Sequence, residues 1–302
     1  MMNPNYKSGF VAIIGRPNVG KSTLLNNILG YKVSIVTSKA QTTRDKIQGI
    51  YTTDTEQIVF IDTPGFHKAF NKLGEVLNDF AMDATISADL IIFLVDSTSR
   101  FDSLDEELIQ NLIATHIPIG LVFNKKDLVK DLIVFNELVE KYKQVNTCFT
   151  LFINSTDSIE VKKILNEVIN NLPNGPQYYP VDQLMDHDER FVAREVIREK
   201  IMLFTKQEVP HSVAISVESF KNDIENPNLL NIRAEIICER QSQKSILIGQ
   251  NGQMIKKIGK QARLELENFF NKRIYLDLFI KVEDDWRNRP YYLKQFGYKL
   301  DK

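Results

Sequence analysis

A short apolar run, residues 11–14, leads directly into Gly15-Arg-Pro-Asn-Val-Gly-Lys-Ser22, and residues 23–29 then read as a helix. The spacing G-x-x-x-x-G-K-[ST] between a strand and a helix leaves little choice of local fold. Its glycines let backbone N–H groups turn inward around an anion, and the helix adds the positive end of its dipole. Lys21 brings a positive charge to the β- and γ-phosphate oxygens, and the Ser22 hydroxyl can ligate Mg²⁺. The nucleotide-binding set here is Gly15, Arg16, Pro17, Asn18, Val19, Gly20, Lys21, Ser22 and Thr23.

Residues 58–62, 90–96, 119–124 and 148–153 repeat the short β-branched pattern. Between them apolar residues recur at helical spacing, as in Leu73, Val76, Leu77 and Phe80, in Leu104, Leu108 and Leu112, and in Val161, Ile164, Leu165 and Val168. Apolar strands alternating with helices imply an α/β domain with a mostly parallel, doubly wound sheet covered on both faces. It is expected over residues 1–172. Three prolines and a glycine within residues 172–180 break both helix and strand, so 173–184 reads as a linker. From 185 to 302 the pattern changes to a helix at 188–204, strands at 211–220 and 231–239, helices at 246–248 and 254–270, and a strand at 274–282. This αββααβ order describes a separate α+β domain. A chain of 302 residues suits two domains, at about 100–200 residues each.

Thirty-eight Lys and Arg against thirty-nine Asp and Glu give a net charge of −1. That excludes a global attraction to nucleic acid and leaves room only for local basic patches. Cys148 and Cys238 are too few for a disulfide framework or a four-ligand zinc site, and they suit a reducing cytoplasm. No apolar run approaches the roughly 20 residues of a bilayer span, and residues 1–8 carry no apolar signal core. The expectation is a cytoplasmic monomer.

A phosphate cradle does not choose between ATP and GTP. Asn124-Lys-Lys-Asp127 does, at the carboxyl end of the fifth strand, where open α/β sheets bind ligands. Guanine offers N1–H and an exocyclic amine side by side, and the Asp127 carboxylate can accept both. Adenine lacks that donor pair and would leave a buried carboxylate unpaired. Asn124 can bridge loop segments and face the base N7/O6 edge, the Lys125 stem can cover the ring, and Lys126 completes the loop. Asp62-Thr63-Pro64-Gly65-Phe66 ends the third strand. Asp62 can hold Mg²⁺ through a water, and the Gly65 N–H can bond a γ-phosphate and lose it after hydrolysis. The polar segment Ser38-Lys-Ala-Gln-Thr-Thr-Arg-Asp45 can supply a Mg²⁺-ligating hydroxyl from Thr42 or Thr43, with Thr43 preferred. Lys21, Thr43, Asp62 and Gly65 form the expected catalytic set. Many switch GTPases place a glutamine after Asp-x-x-Gly to orient the attacking water. Phe66 stands there, so slow intrinsic conversion of GTP to GDP and phosphate is expected, dependent on positioning, Mg²⁺ and a partner or monovalent ion. His67 reads as a solvated loop residue, because phosphoryl transfer needs charge stabilisation more than proton abstraction.

In the second domain, Ile248-Gly-Gln-Asn-Gly-Gln-Met-Ile255 sets Gly249 and Gly252 in a G-x-x-G loop between helical stretches. From Lys244 to Leu264 there are five basic residues and no acid, including Lys256, Lys257, Lys260 and Arg263. Helix N-termini and a close-approaching backbone at Ile248, Gly249, Gln250, Asn251 and Gly252 can clamp single-stranded RNA while the basic side chains meet phosphates. Ile248, Met254, Ile255 and Ile258 would floor a base-binding groove. The bland alternative is a tight helix–loop–helix turn with a solvated basic face. His211 and Trp286 read as packing residues.

In this order the nucleotide-binding elements resemble the translation-factor class of GTPases. Thr42-Thr43-Arg44-Asp45 with Asp62-Thr-Pro-Gly65 resembles the subgroup of Era, Der and MnmE. That resemblance implies a fifth element at Ile153-Asn154-Ser155, where Asn154 replaces the usual Ser and Ser155 the usual Ala, with backbone N–H groups meeting guanine. It also implies potassium at Asn18, whose other reading is a turn residue after Pro17. The αββααβ order looks like a type II KH domain. Arg198-Glu-Lys-Ile201, Val209-Pro-His-Ser-Val213, Ile258-Gly-Lys-Gln-Ala-Arg263 and Glu283-Asp-Asp-Trp-Arg287 extend the resemblance to the Era family from residue 10 to residue 298. It implies a GTP-hydrolysing switch that binds the 3′ end of small-subunit ribosomal RNA and assists 30S assembly on pre-30S particles. Association with the inner face of the cell membrane would be peripheral at most. Two other functions stay open at this level: an RNA chaperone with a structural nucleotide, and a GTPase acting on a non-ribosomal partner.

Overall fold

The computed structural model describes residues 5–37, 39 and 42–298. Its first unit comprises the described residues up to Phe70 together with Leu77–Asp186. The elements run β1 (Lys7–Ile14), α1 (Lys21–Leu29), β2 (Ile47–Thr52), β3 (Glu56–Asp62), α2 (Lys72–Ile86), β4 (Leu90–Asp96), α3 (Ser103–Ala114), β5 (Ile119–Asn124), α4 (Leu132–Tyr142), β6 (Phe149–Phe152) and α5 (Ser158–Asn171). The sheet order is β2-β3-β1-β4-β5-β6. Only β2 runs antiparallel to its neighbour, and the other pairs are parallel, so the α/β expectation holds. β2 has no β-branched run to announce it, since Gln48 and Gly49 interrupt its apolar residues. It is an edge strand, held by its pairing with β3 rather than by burial on both faces.

Residues 90–95 of β4 are buried throughout, as a strand covered by helices on both sides must be. Ala12, Phe93, Val95, Leu121 and Phe123 meet Leu108, Ile109 and Leu112 of α3 and Leu138 and Tyr142 of α4. Parallel register then sets the site. Ile13 pairs with Asp62 and Asp96 with Asn124, so the loops after β1, β3 and β5 leave the same edge. β3 and β4 flank β1 on opposite sides. That divergence opens a crevice at the switch point of the sheet.

The segment expected as a linker lies along the first unit. The Gln57 side-chain oxygen Oε1 accepts the Tyr178 and Tyr179 N–H groups at 2.7 and 2.9 Å. Ile50 N–H donates to Leu184 O at 2.9 Å, and Asp186 N–H to Gln48 O at 3.3 Å. An edge strand offers unpaired N–H and C=O groups, and an extended, proline-rich segment can meet them. The division between units therefore falls after Asp186.

The second unit holds Asn71–Val76 and the chain from His187 on. It contains α6 (Glu189–Phe204), β7 (Ala214–Asn222), β8 (Leu229–Cys238), α7 (Gln241–Ile248), α8 (Gln253–Phe270), β9 (Arg273–Val282) and an additional α9 (Pro290–Gln295). β7 is antiparallel and β9 parallel to β8. Ile197, Ile201, Ile232, Ile236, Leu247, Ile258, Ala262 and Leu266 form its core. Trp286 is fully buried and donates Nε1–H to Ser212 O at 2.9 Å, the packing role expected of it. Among the described residues no helix is long and apolar enough to cross a membrane.

Candidate functional site

α1 starts at Gly20, whose φ of +106° is left-handed. A Cβ there would lie 2.3 Å from Asn124 Nδ2, so conformation and space both require glycine. Lys21 is 6% exposed, and its Nζ donates to Gly15 O at 3.1 Å and Arg16 O at 2.9 Å. The Asp62 loop packs on this turn. Phe66 N–H donates to Gly15 O at 3.1 Å, Thr63 Oγ1–H donates to Ile13 O at 2.8 Å, and Gly65 abuts Pro17.

Three hydroxyls converge on one buried carboxylate. Ser22 Oγ donates to Asp62 Oδ2 at 2.7 Å, Ser34 Oγ at 2.8 Å and Thr43 Oγ1 at 3.3 Å. Ser22 and Thr43 lie 3.0 Å apart. Asp62 is fully buried, and its Oδ1 has no hydrogen-bond partner among the described residues. A buried, unsatisfied carboxylate oxygen beside two further hydroxyls is a donor set for a hard cation. Thr42 points elsewhere, its Oγ1 donating to Lys39 O at 2.7 Å. Ser38, Ala40 and Gln41 lie outside the described residues. Burial pushes Lys21 down to about 8, opposed by the negative charge of Asp62. Burial pushes Asp62 up, opposed by Lys21 and the three hydroxyl bonds.

These groups border a cleft of about 460 Å³ lined by Pro17, Asn18, Gly20, Lys21, Ser22, Thr23, Thr43, Gly65, Asn124, Lys125, Asp127, Asn154 and Ser155. That volume suits a small-molecule ligand. The other expected nucleotide contacts do not line it. Arg16 turns its guanidinium to Asp102 and Asp105 on the opposite side of the loop. Val19, Pro64 and Phe66 are buried, and Lys126 pairs with Glu160. His67 is half-buried, with Nδ1 2.8 Å from Gly65 O and Asn78 on its backbone.

Asn124 is a tie between loops. Its amide donates to Val19 O at 2.7 Å and Ser155 Oγ at 3.1 Å, while its Oδ1 accepts Ser155 N–H at 2.8 Å. Both amide hydrogens are engaged within the protein, so the loop-bridging role expected of Asn124 is the one this arrangement displays, while the residue also lines the cleft. Asn154 N–H likewise goes to Glu160 and Thr156 N–H to Asn154 Oδ1. The backbone donors expected to meet guanine at Asn154 and Ser155 are thus taken by side chains in this arrangement. Lys125 Nζ reaches Asp96 and the Asn18 carbonyl, both at 2.6 Å. Ser34, Asp96 and Glu160 escape the motif search because each acts across a long sequence separation.

In the second unit, α7 ends at Gly249 (φ +70°), and Gly252 (φ +75°) starts α8. Gln250, Asn251, Lys256, Lys257, Lys260 and Arg263 are exposed around this turn, so the structure brings the loop and its basic residues together. Lys257 lies 4.2 Å from the Phe204 ring centroid. Ile248 is 37% exposed whereas Ile258 is fully buried. Ile258 thus belongs to the core and not to a groove floor.

A family profile described as a 50S ribosome-binding GTPase matches residues 10–125, and a KH domain profile matches residues 208–287. An Era crystallised with MgGDPNP and nucleotides 1506–1542 of 16S ribosomal RNA is similar over 98% of this chain and 100% of its own, at 40% identity and a TM-score of 0.92. A variant of Aquifex aeolicus Era bound to GDP and AlF4⁻ is similar over 97% of this chain and 100% of its own, at 39% identity and the same TM-score, 0.92.

Proposed function

The chain belongs to the Era family of GTPases, and from that premise we propose that it is a GTP-hydrolysing switch that binds the 3′ region of small-subunit ribosomal RNA and assists 30S assembly in the cytoplasm. The observation carrying this reading is the end-to-end similarity to an Era that holds a GTP analogue and 16S RNA together. The domain-level profile names the large subunit, but it covers only the first unit, so the full-length relative decides. Ser22, Thr43 and Asp62 would hold Mg²⁺, which when bound neutralises charge on the phosphate oxygens. Lys21 orients the β- and γ-phosphates, and Asp127 selects guanine. Phe66, buried in the core, orients no water, so intrinsic turnover is slow. Asn18, lining the cleft, is the place proposed for potassium.

The depressed lysine gives a pH signature. Phosphates favour the ammonium form of Lys21, so nucleotide binding takes up a proton above pH 8. Affinity then falls by up to about tenfold per pH unit. Calorimetry in two buffers of different ionisation heat reads that proton, and a pH-independent affinity from 7 to 10 contradicts the assignment. The nucleotide-free chain should behave oppositely. The unfolded lysine holds its proton up to its ordinary 10.5, so this group's contribution to stability grows as pH rises from about 8.

RNA binding is tested at Gly252. A Cβ there meets nothing within 4 Å, so Gly252→Asp adds charge without a clash. Its left-handed backbone costs about 1–2 kcal/mol. Affinity for an oligonucleotide of the 16S 3′ end should fall at least about tenfold, as repulsion and lost backbone approach require, while the protein still melts cooperatively. Unchanged RNA affinity would overturn the RNA role.

A further inference from the structure

We propose that Asp105, on α3 and outside the cleft, is a positioning residue for the nucleotide phosphates, acting through the Arg16 side chain on the Arg16 carbonyl that holds Lys21. The inference rests on the GTP-binding reading above and extends it. Arg16 links the two sides. Its carbonyl accepts Lys21 Nζ at 2.9 Å, while its Nη1 donates to Asp105 Oδ2 at 3.0 Å and Asp102 Oδ2 at 2.8 Å. The two acids differ in what they can anchor. The Asp102 side chain is 49% exposed, whereas that of Asp105 is 3% exposed. An ion pair with a buried, hydrogen-bonded partner holds geometry far better than one screened by water.

Asp105 is itself fixed on every side. Its Oδ2 also accepts Asp102 N–H at 3.0 Å, closing the capping box of α3. Its Oδ1 accepts the Tyr142 hydroxyl at 2.9 Å. Tyr142 is 1% exposed and boxed by the rings of Phe93, Phe101 and Phe123. A rigid core thus reaches Lys21 through two side chains. Open space lies behind the phosphate loop at this tether. A second cavity of about 380 Å³ lies there, bordered by Arg16, Pro17, Asp102, Asp105 and Tyr142. The ion pair crosses this cavity at Arg16, so losing it leaves the Arg16 end of the loop without its anchor on α3.

The test measures GDP and GTP affinity and melting temperature for Arg16→Ala, Asp105→Ala and the double variant. Asp105→Asn, which keeps the volume and removes the charge, stands in should the alanine variant not fold. Each single change should weaken nucleotide binding by about five- to tenfold. The double should be no weaker than either single change, because both break one tether. Arg16→Lys should restore part of the affinity. Leu112→Ala, a core truncation on the same helix, should lower the melting temperature while leaving affinity within about twofold. Unchanged affinity in the Asp105 variants, or losses that add in the double, overturns the proposal while Lys21→Ala still lowers kcat/KM for GTP. A wild-type chain that fails to bind GTP overturns the underlying reading instead.

Discussion

Replacing Lys21 with alanine lowers kcat/KM for GTP about 10²–10³-fold, the scale on which one preorganised donor to a charged transition state acts. Nζ is held by two carbonyls of its own loop, Gly15 O and Arg16 O, so the ammonium is positioned before nucleotide arrives and no reorganisation is needed during reaction. Burial strengthens its interaction with phosphate oxygens by excluding water. The variant should keep its fold, because burying that ammonium penalises the free chain. Single-turnover hydrolysis with a parallel melting curve checks both parts. A folded variant with near-wild-type turnover would show that the loop binds phosphate by backbone alone.

Asp127→Asn should cost at least about 10²-fold in GTP affinity, because a site built to accept two donors penalises their mismatch heavily. The same change should improve binding of a xanthine nucleotide, whose C2 carbonyl accepts from the new amide while N1–H still meets its oxygen. The neighbouring Asn124, by contrast, uses both amide hydrogens on Val19 O and Ser155 Oγ. Asp127 lines the cleft two residues after Lys125, which turns the chain with a φ of +61°. Equilibrium titration with both nucleotides reads the switch. Retained guanine preference would move recognition elsewhere in the cleft.

What the sequence displays is what depends on neighbours in the chain. Strand–loop–helix around Lys21 and the G-x-x-G turn are contiguous, and their residue types fix the backbone locally. Ser34 on Asp62, Glu160 on Lys126 and Asp105 on Arg16 join segments 28, 34 and 89 positions apart. The long-range pairs leave no periodic trace. β2 carries no continuous apolar run because an edge strand needs none. The placement of residues 173–184 along the first unit rests on Gln57, a buried polar residue near the start of β3, and on backbone bonds to β2. Ile258 is different, since its burial was legible. Ile258, Ala262 and Leu266 recur at four-residue spacing and mark the core stripe of α8.

Competition calorimetry with GTP and ATP, at one Mg²⁺ concentration on the purified chain, tests the central claim most directly. A guanine-selecting carboxylate above a phosphate cradle predicts GTP binding at least about 10²-fold tighter than ATP. Equal affinities, or no binding of either nucleotide, would contradict it.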